Sequence, residues 1–331
     1  MRHEMLTDRI RRFLEREATL HERAILRLRF EARFIRVGSA LTPVGPILAV
    51  LRVRRGSDEL AMIPESSWRG PLRKVSEWVA KASLDAVEDG LEKAVLAAHY
   101  EPEEEPLTHL KVAEPPVRME DLVLAAEGLG EETLRRFLAP DEVREVLEAA
   151  KKLRNGLSLT DEERRKFRSS LEPLISPLCP ICRLWGGPAL KAKVILEDTL
   201  LKCPTQLRSH VAINRAAGVR EEERLYSAEY CLPGELELEA VVENVLPGTT
   251  EALILAGTLE WLAGPGIELG GFKSRGSGLL RLQEENSEVL LTRLVGLRGR
   301  ELVDALVRPD EVARRLGVSD YIRYLRGELE I

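Results

Sequence analysis

The chain has 331 residues, 44% of them hydrophobic and 31% charged, which suffices for one large domain or two to three small ones. No run of 18 apolar residues occurs, and Met1-Arg2-His3-Glu4-Met5-Leu6-Thr7-Asp8-Arg9 has no apolar core. Neither a spanning helix nor a signal peptide is expected, and we expect a cytoplasmic protein with no membrane partner. The net charge of −6 argues against indiscriminate adhesion to nucleic acid, but the charge is unevenly spread. Acid collects at residues 101–105 and 221–223. Base collects in the first 36 residues and at Arg52, Arg54, Arg55, Arg69, Arg73 and Lys74. A basic face on an acidic body can still hold RNA. Scarce Asn and Gln beside abundant Glu, Arg and Leu lean towards a thermophile.

From Ala24, Ile25-Leu26-Arg27-Leu28-Arg29-Phe30-Glu31-Ala32-Arg33-Phe34 alternates, which predicts a half-buried strand with its cationic side outward. Residues 37–62 carry Gly38, Pro43, Gly45, Pro46 and Gly56 and read as a long loop with a hairpin through 48–53. Ser66 or Ser67 caps a helix running to about residue 84. The free N–H groups of its first turn, with Arg69 and Arg73 one turn apart, form an anion site. Residues 85–172 resemble an insertion, with helical periodicity at 121–128, 131–137, 140–153 and 160–171. Strand signals return at 192–201 and 226–231. Between them, 202–230 projects as a hairpin arm bearing Arg208, His210, Arg215 and Arg220, able to slide between the bases of a single strand or to stand as a solvated hairpin. Residues 235–242 alternate strictly, 250–263 read as a helix, and 279–283 as a strand. The tail at 303–325 is helical in pattern, broken by Pro309 and Gly317. Without the insertion the order is strand, helix, strand, strand, helix, strand. That is the split βαβ arrangement of an α+β, ferredoxin-like or RRM-like core. We divide the chain into 1–98 and 179–285 for the core, 99–178 for a helical lid, and 286–331 for a helical extension.

The densest anion signal is Gly270-Gly271-Phe272-Lys273-Ser274-Arg275-Gly276-Ser277-Gly278. Glycines allow backbone N–H groups to approach an anion, and Lys273 and Arg275 add cationic donors. The glycines precede a strand and lack the Gly-Lys-Ser/Thr ending of a nucleotide loop, so a polyanion crossing a sheet suits them better. Cys179-Pro180-Ile181-Cys182 spans two corners of a tetrahedral zinc site. The other ligands come from Cys203, Cys231, His99, His109, His210 or His21, and we place Cys203 and His99 in the set. The alternative is two buried, reduced cysteines. A disulfide is not expected in a cytoplasmic chain. The role would be structural. Five histidines form no recognisable general-base pair, and no nucleophile elbow occurs.

Four passages in order carry a family resemblance. They are Ile63-Pro64-Glu65-Ser66-Ser67-Trp68-Arg69-Gly70, Cys179-Pro180-Ile181-Cys182-Arg183-Leu184-Trp185-Gly186, His210-Val211-Ala212-Ile213-Asn214-Arg215-Ala216-Ala217-Gly218, and the glycine loop. Over roughly residues 28–283 the chain resembles the RAMP superfamily (repeat-associated mysterious proteins), and most closely the guide-RNA backbone subunit of type III (Csm/Cmr) CRISPR effector complexes. The resemblance implies copies stacked head to tail on a CRISPR guide RNA, beside target RNA and other effector subunits. It implies a thumb at residues 208–220, and guide contacts at Ser66, Ser67, Arg69, Gly270, Gly271, Lys273, Arg275, Gly276 and Gly278. Arg52, Arg54, Arg73, Ser274, Arg208, Arg215 and Arg220 complete our candidate RNA contacts. Relatives that cut target RNA carry a loop aspartate after the first strand. Here Val37 to Ser57 holds no Asp or Glu, and Val44-Gly45-Pro46-Ile47 is the nearest match. We therefore expect binding without cleavage, with a RAMP-type ribonuclease for guide processing or target cutting as the alternative.

Overall fold

The computed structural model describes residues 2–38, 47–100, 109–112, 114–213 and 220–331, with backbone alone at 2, 47, 212, 213 and 220–226. Residues 44–46 and Arg215 lie outside these residues. The fold is mixed α+β with largely antiparallel sheets. Two compact units divide the chain. One is Arg23–Ser76, Ile195–Val242 and Leu255–Ile331; the other is Met1–Glu22, Glu77–Val194 and Glu243–Ile254.

The first unit is organised by the strand Glu22–Ala32, whose alternation buries Ala24, Leu26, Leu28, Phe30 and Ala32 on one side. Along the sheet the order is Ile267–Glu268, Leu279–Leu282, Glu22–Ala32, Glu288–Arg293 and Arg314–Leu316, and Gly234–Glu243 also pairs with Glu22–Ala32. Phe30 packs at 5.4 Å against Trp68 of the helix Glu65–Ala82, and the Trp68 indole N–H reaches Thr199 Oγ1 at 3.1 Å. Ser76 and Thr258 join that helix to Thr250–Ala263 through a 2.9 Å hydroxyl contact. The aromatic and its hydrogen bond thus fix helix to strand without leaving a buried donor unpaired.

One expectation is qualified here and two are corrected. The cationic side of the central strand does face outward, but its arginines are paired with acids, which the alternation could not show. Arg27 donates to Glu288 and Asp310 at 2.9 Å each, and Arg29 donates to Glu237 at 3.1 Å. The tail is not a helical extension alone, because Glu288–Arg293 and Arg314–Leu316 enter the sheet. Six and three residues, the latter Arg-Arg-Leu, are too few for periodicity to betray them. Finally, the helix begins at Glu65, so Ser66 and Ser67 lie inside its first turn; the Glu65 N–H goes to Asp198 Oδ1 at 2.7 Å.

The hairpin arm is present: Thr205–Ile213 pairs antiparallel with Arg220–Cys231, and Ile47–Leu48 joins it in parallel. A second small sheet joins Arg52–Arg55, Asp58–Ile63 and Thr199–Leu201.

The second unit is mostly helical, with Met119–Leu129, Pro140–Arg154 and Asp161–Ser170 where the periodicity places them. Thr160 and Glu163 form a reciprocal cap at the start of the last. The N-terminal helix Arg2–Glu17 meets Met119–Leu129 closely. Thr7 Oγ1 donates to the Ala125 carbonyl at 3.1 Å, and a Cβ on Gly128 would stand 2.9 Å from that same hydroxyl. Buried nearby, Arg183 donates to Glu251 at 2.6 Å and pairs with Glu92, while Lys193 lies 3.2 Å from Glu251.

Candidate nucleic-acid interface and metal centre

In the helical unit, His99, His109, Cys179 and Cys182 come together, all buried, with their ligand atoms within 4.8 Å of one another. Cys179 is the N-cap of the short helix Pro180–Trp185, which turns Cys182 back towards it; the pair opens a helix and is not a loop turn. His99 is the C-cap of Gly90–Ala98. His99 Nδ1 lies 3.3 Å from His109 Nε2, 3.8 Å from Cys179 Sγ and 3.9 Å from Cys182 Sγ; His109 Nε2 lies 3.8 Å from Cys182 Sγ. A tetrahedral ion with bonds of about 2.0–2.3 Å needs ligand separations of about 3.3–3.8 Å. The separations of 3.3–3.9 Å in the cluster lie close to that range, and two imidazoles with two thiols could hold a metal ion.

Carboxylates back both imidazoles. His109 Nδ1 meets Glu172 Oε1 at 2.5 Å, and Glu172 also accepts the backbone N–H groups of His109 and Leu110. His99 Nε2 lies 3.3 Å from Glu77 Oε1. Such partners fix the tautomer and turn the opposite nitrogen towards the metal. Burial disfavours a Cys179 thiolate, but the Cys182 thiol and the two imidazoles pull its pKa well below the ordinary thiol value. Gly187 keeps the space open: a Cβ there would stand 3.3 Å from Cys182 Sγ.

Cys203, expected in this set, does not belong to it. Its sulfur is bonded to Cys231, so the disulfide that the sequence argued against is present, and His109 fills the fourth corner. The bond ties the two strands of the arm at their foot, where Thr205 faces Cys231.

In the sheet unit, Lys273, Ser274, Arg275 and Gly276 are exposed on a single 3-10 turn. The glycines around it act differently from the expectation. A Cβ on Gly270 would stand 2.3 Å from the Arg36 carbonyl oxygen, and one on Gly278 would stand 2.0 Å from that of Leu269. The N–H of Gly271 donates to Arg36 and that of Gly278 to Phe34, each at 2.8 Å. Those amides seat the loop on the strand end and are not free for an anion; the turn's exposed groups are its cationic side chains.

Beside the turn lies a group of rings and guanidiniums that sequence reading had not assembled. Phe272 stacks on His210 at 5.2 Å, with Arg275 at 4.8 Å and Arg36 at 5.1 Å over its ring. Arg208 lies 3.8 Å over Phe34 and 5.4 Å over Tyr230, whose hydroxyl meets His210 Nε2 at 2.9 Å. Burial, with Arg275 and Arg208 nearby, holds His210 below its usual pKa. Stacked rings with guanidiniums are the surface on which unpaired bases rest.

The remaining candidates are dispersed. Arg69 pairs with Glu65 in its own helix, and Arg52 donates to Glu229 at 2.9 Å, so both are already partly neutralised. Ser66 and Arg54 are exposed, Ser67 and Arg73 half-buried. Arg220 starts its strand.

A comparison with family models matches residues 33–281 to the RAMP superfamily, and the chain belongs to that family. Membership associates it in general terms with CRISPR-linked RNA binding. No curated protein matches it. Among the described residues, no helix is long and apolar enough to cross a membrane.

Proposed function

We propose that the chain binds single-stranded CRISPR guide RNA through its sugar–phosphate backbone, as a stacking subunit of a type III interference complex in the cytoplasm. In this reading the core is ferredoxin-like, copies pack head to tail beside target RNA and other effector subunits, and the arm at residues 208–220 is the thumb. The four-ligand cluster holds structural zinc, and the subunit does not itself cleave. The observation that carries the reading is the exposed Lys273–Gly276 turn standing beside the His210–Phe272 stack, cations for phosphate next to rings for bases. Zinc's part would be to staple the helical unit, since four protein ligands leave no open coordination position. The test is binding of an unstructured labelled RNA to the Lys273→Ala/Arg275→Ala variant. Affinity is expected to fall at least ten-fold at low salt; unchanged binding would remove the loop from the interface.

The ribonuclease alternative draws on one observation, a neutral-leaning His210 between Arg208 and Arg275, a pairing suited to metal-independent attack by a 2′-hydroxyl. Incubating repeat RNA and guide-paired target RNA with and without Mg²⁺ separates the readings. Products lost in His210→Ala would favour the enzyme.

A further inference from the structure

At the end of the central strand, Glu31, Arg33, Phe34, Gly276, Leu279 and Arg281 line a groove of about 390 Å³. Its walls are set by the fold. Glu31 and Arg281 face each other across the paired strands, so their side chains rise on one side of the sheet. The Phe34 carbonyl accepts the Gly278 N–H at 2.8 Å, which holds the glycine turn at the groove's rim. Gly276 has φ +77 and nothing within 4 Å of where a Cβ would stand, so the rim stays open. Leu279 is 47% exposed and supplies an apolar wall.

Resting on the guide-binding reading, we infer that this groove takes one guanine base turned out of the RNA strand. A carboxylate offers only acceptors, and guanidiniums offer only donors. Guanine presents two adjacent donors, N1–H and N2–H₂, beside the acceptor O6 on its Watson–Crick edge. Glu31 accepts from the two donors, while Arg281 or Arg33 donates to O6. Adenine and cytosine each set a ring-nitrogen acceptor where Glu31 needs a donor, and uracil has a single donor between two carbonyl oxygens. Phe34 and Leu279 supply the apolar surfaces that an unstacked base requires. The subunit thereby adds preference at one nucleotide to contacts that are otherwise indifferent to sequence.

The experiment compares fluorescence anisotropy of the full chain with three labelled RNAs: twelve uridines, the same strand with one central guanosine, and the same with inosine, which lacks the N2 amino group. The guanosine strand is expected to bind about ten-fold more tightly than the uridine strand, the scale of one bidentate base contact, with inosine between. Glu31→Gln, an exposed position whose thermal melt serves as the folding control, should erase the difference between the guanosine and uridine strands. Lys273→Ala/Arg275→Ala should weaken all three and keep their ratio. Equal, measurable binding of the three RNAs by the unaltered chain overturns the guanine pocket and leaves backbone binding standing. Binding of none of them at low salt overturns the guide-binding reading and the pocket with it.

Discussion

Glu251 shows what one buried charge does in this chain. Burial pushes its carboxyl up, but Arg183, Lys193 and Arg16 overcome that and hold it at about 2. A pKa depressed on folding contributes stability above the unfolded value near 4.5, and loses it as pH falls towards 2. The difference is roughly 3 kcal/mol. Chemical denaturation between pH 6 and 2 should show that loss, and Glu251→Gln should flatten the profile while lowering stability at pH 7, because Arg183 and Lys193 would remain buried. Trp68, fully buried on Phe30, should cost about 3–5 kcal/mol when cut to Ala, read as a lower urea midpoint. At the metal cluster, His109→Ala should reduce bound zinc in elemental analysis from about one per chain to near none, with a lower melting temperature. Cys179 and Cys182 were legible because their spacing is itself the signal. His109 was not preferred over Cys203, because only the fold decides which distant histidine meets a knuckle, and a cysteine is the commoner guess.

Among elements, the arm and the glycine turn illustrate how far pattern reaches. In the sequence the arm reads as a projection between two strand signals, and the four glycines read as a loop whose amides meet an anion. Neither pattern could reveal what the glycines approach, since the Arg36 carbonyl comes from a distant part of the chain and the Leu269 carbonyl is reached only when the loop closes on itself. Nor could it assemble Phe34, Arg36, Tyr230 and Phe272, whose only advance sign was Phe272 inside the loop. Gly278→Ala is therefore expected to destabilise the sheet unit itself, because φ is +89 and the Cβ would strike the Leu269 carbonyl. Its signature is a lowered melting temperature together with weakened RNA binding, whereas Lys273→Ala/Arg275→Ala should weaken RNA binding with the melt unchanged. The Cys203–Cys231 bond closes a 28-residue separation. Cys203→Ser should lower stability by about 2–4 kcal/mol, measured against the oxidised parent and matched by the parent under reductant.

For the whole molecule, the salt response is the integrating measurement. Each phosphate contact on a single strand contributes about 0.7 to the slope of log affinity against log salt. Loss of Lys273 and Arg275 should reduce that slope by about 1.4, and an unaltered slope would place the contacts elsewhere. The mixed α+β class was legible from the alternation of strand and helix patterns, but the strands at Arg52–Arg55 and Asp58–Ile63, which precede the helix Glu65–Ala82, fall where the sequence reads as a loop. What escaped was the tail, because Glu288–Arg293 and Arg314–Leu316 look in sequence like the flanks of helices. That addition has a consequence for assembly. The sheet's path ends at one side in Ile267–Glu268 and at the other in Arg314–Leu316, two and three residues long, the latter with Arg314 and Arg315 exposed. Such brief, charged borders offer almost no ladder for a neighbour's backbone. If copies align on a nucleic acid as proposed, they do not join through the two ends of this sheet, so the sheets of neighbouring copies stay separate ladders.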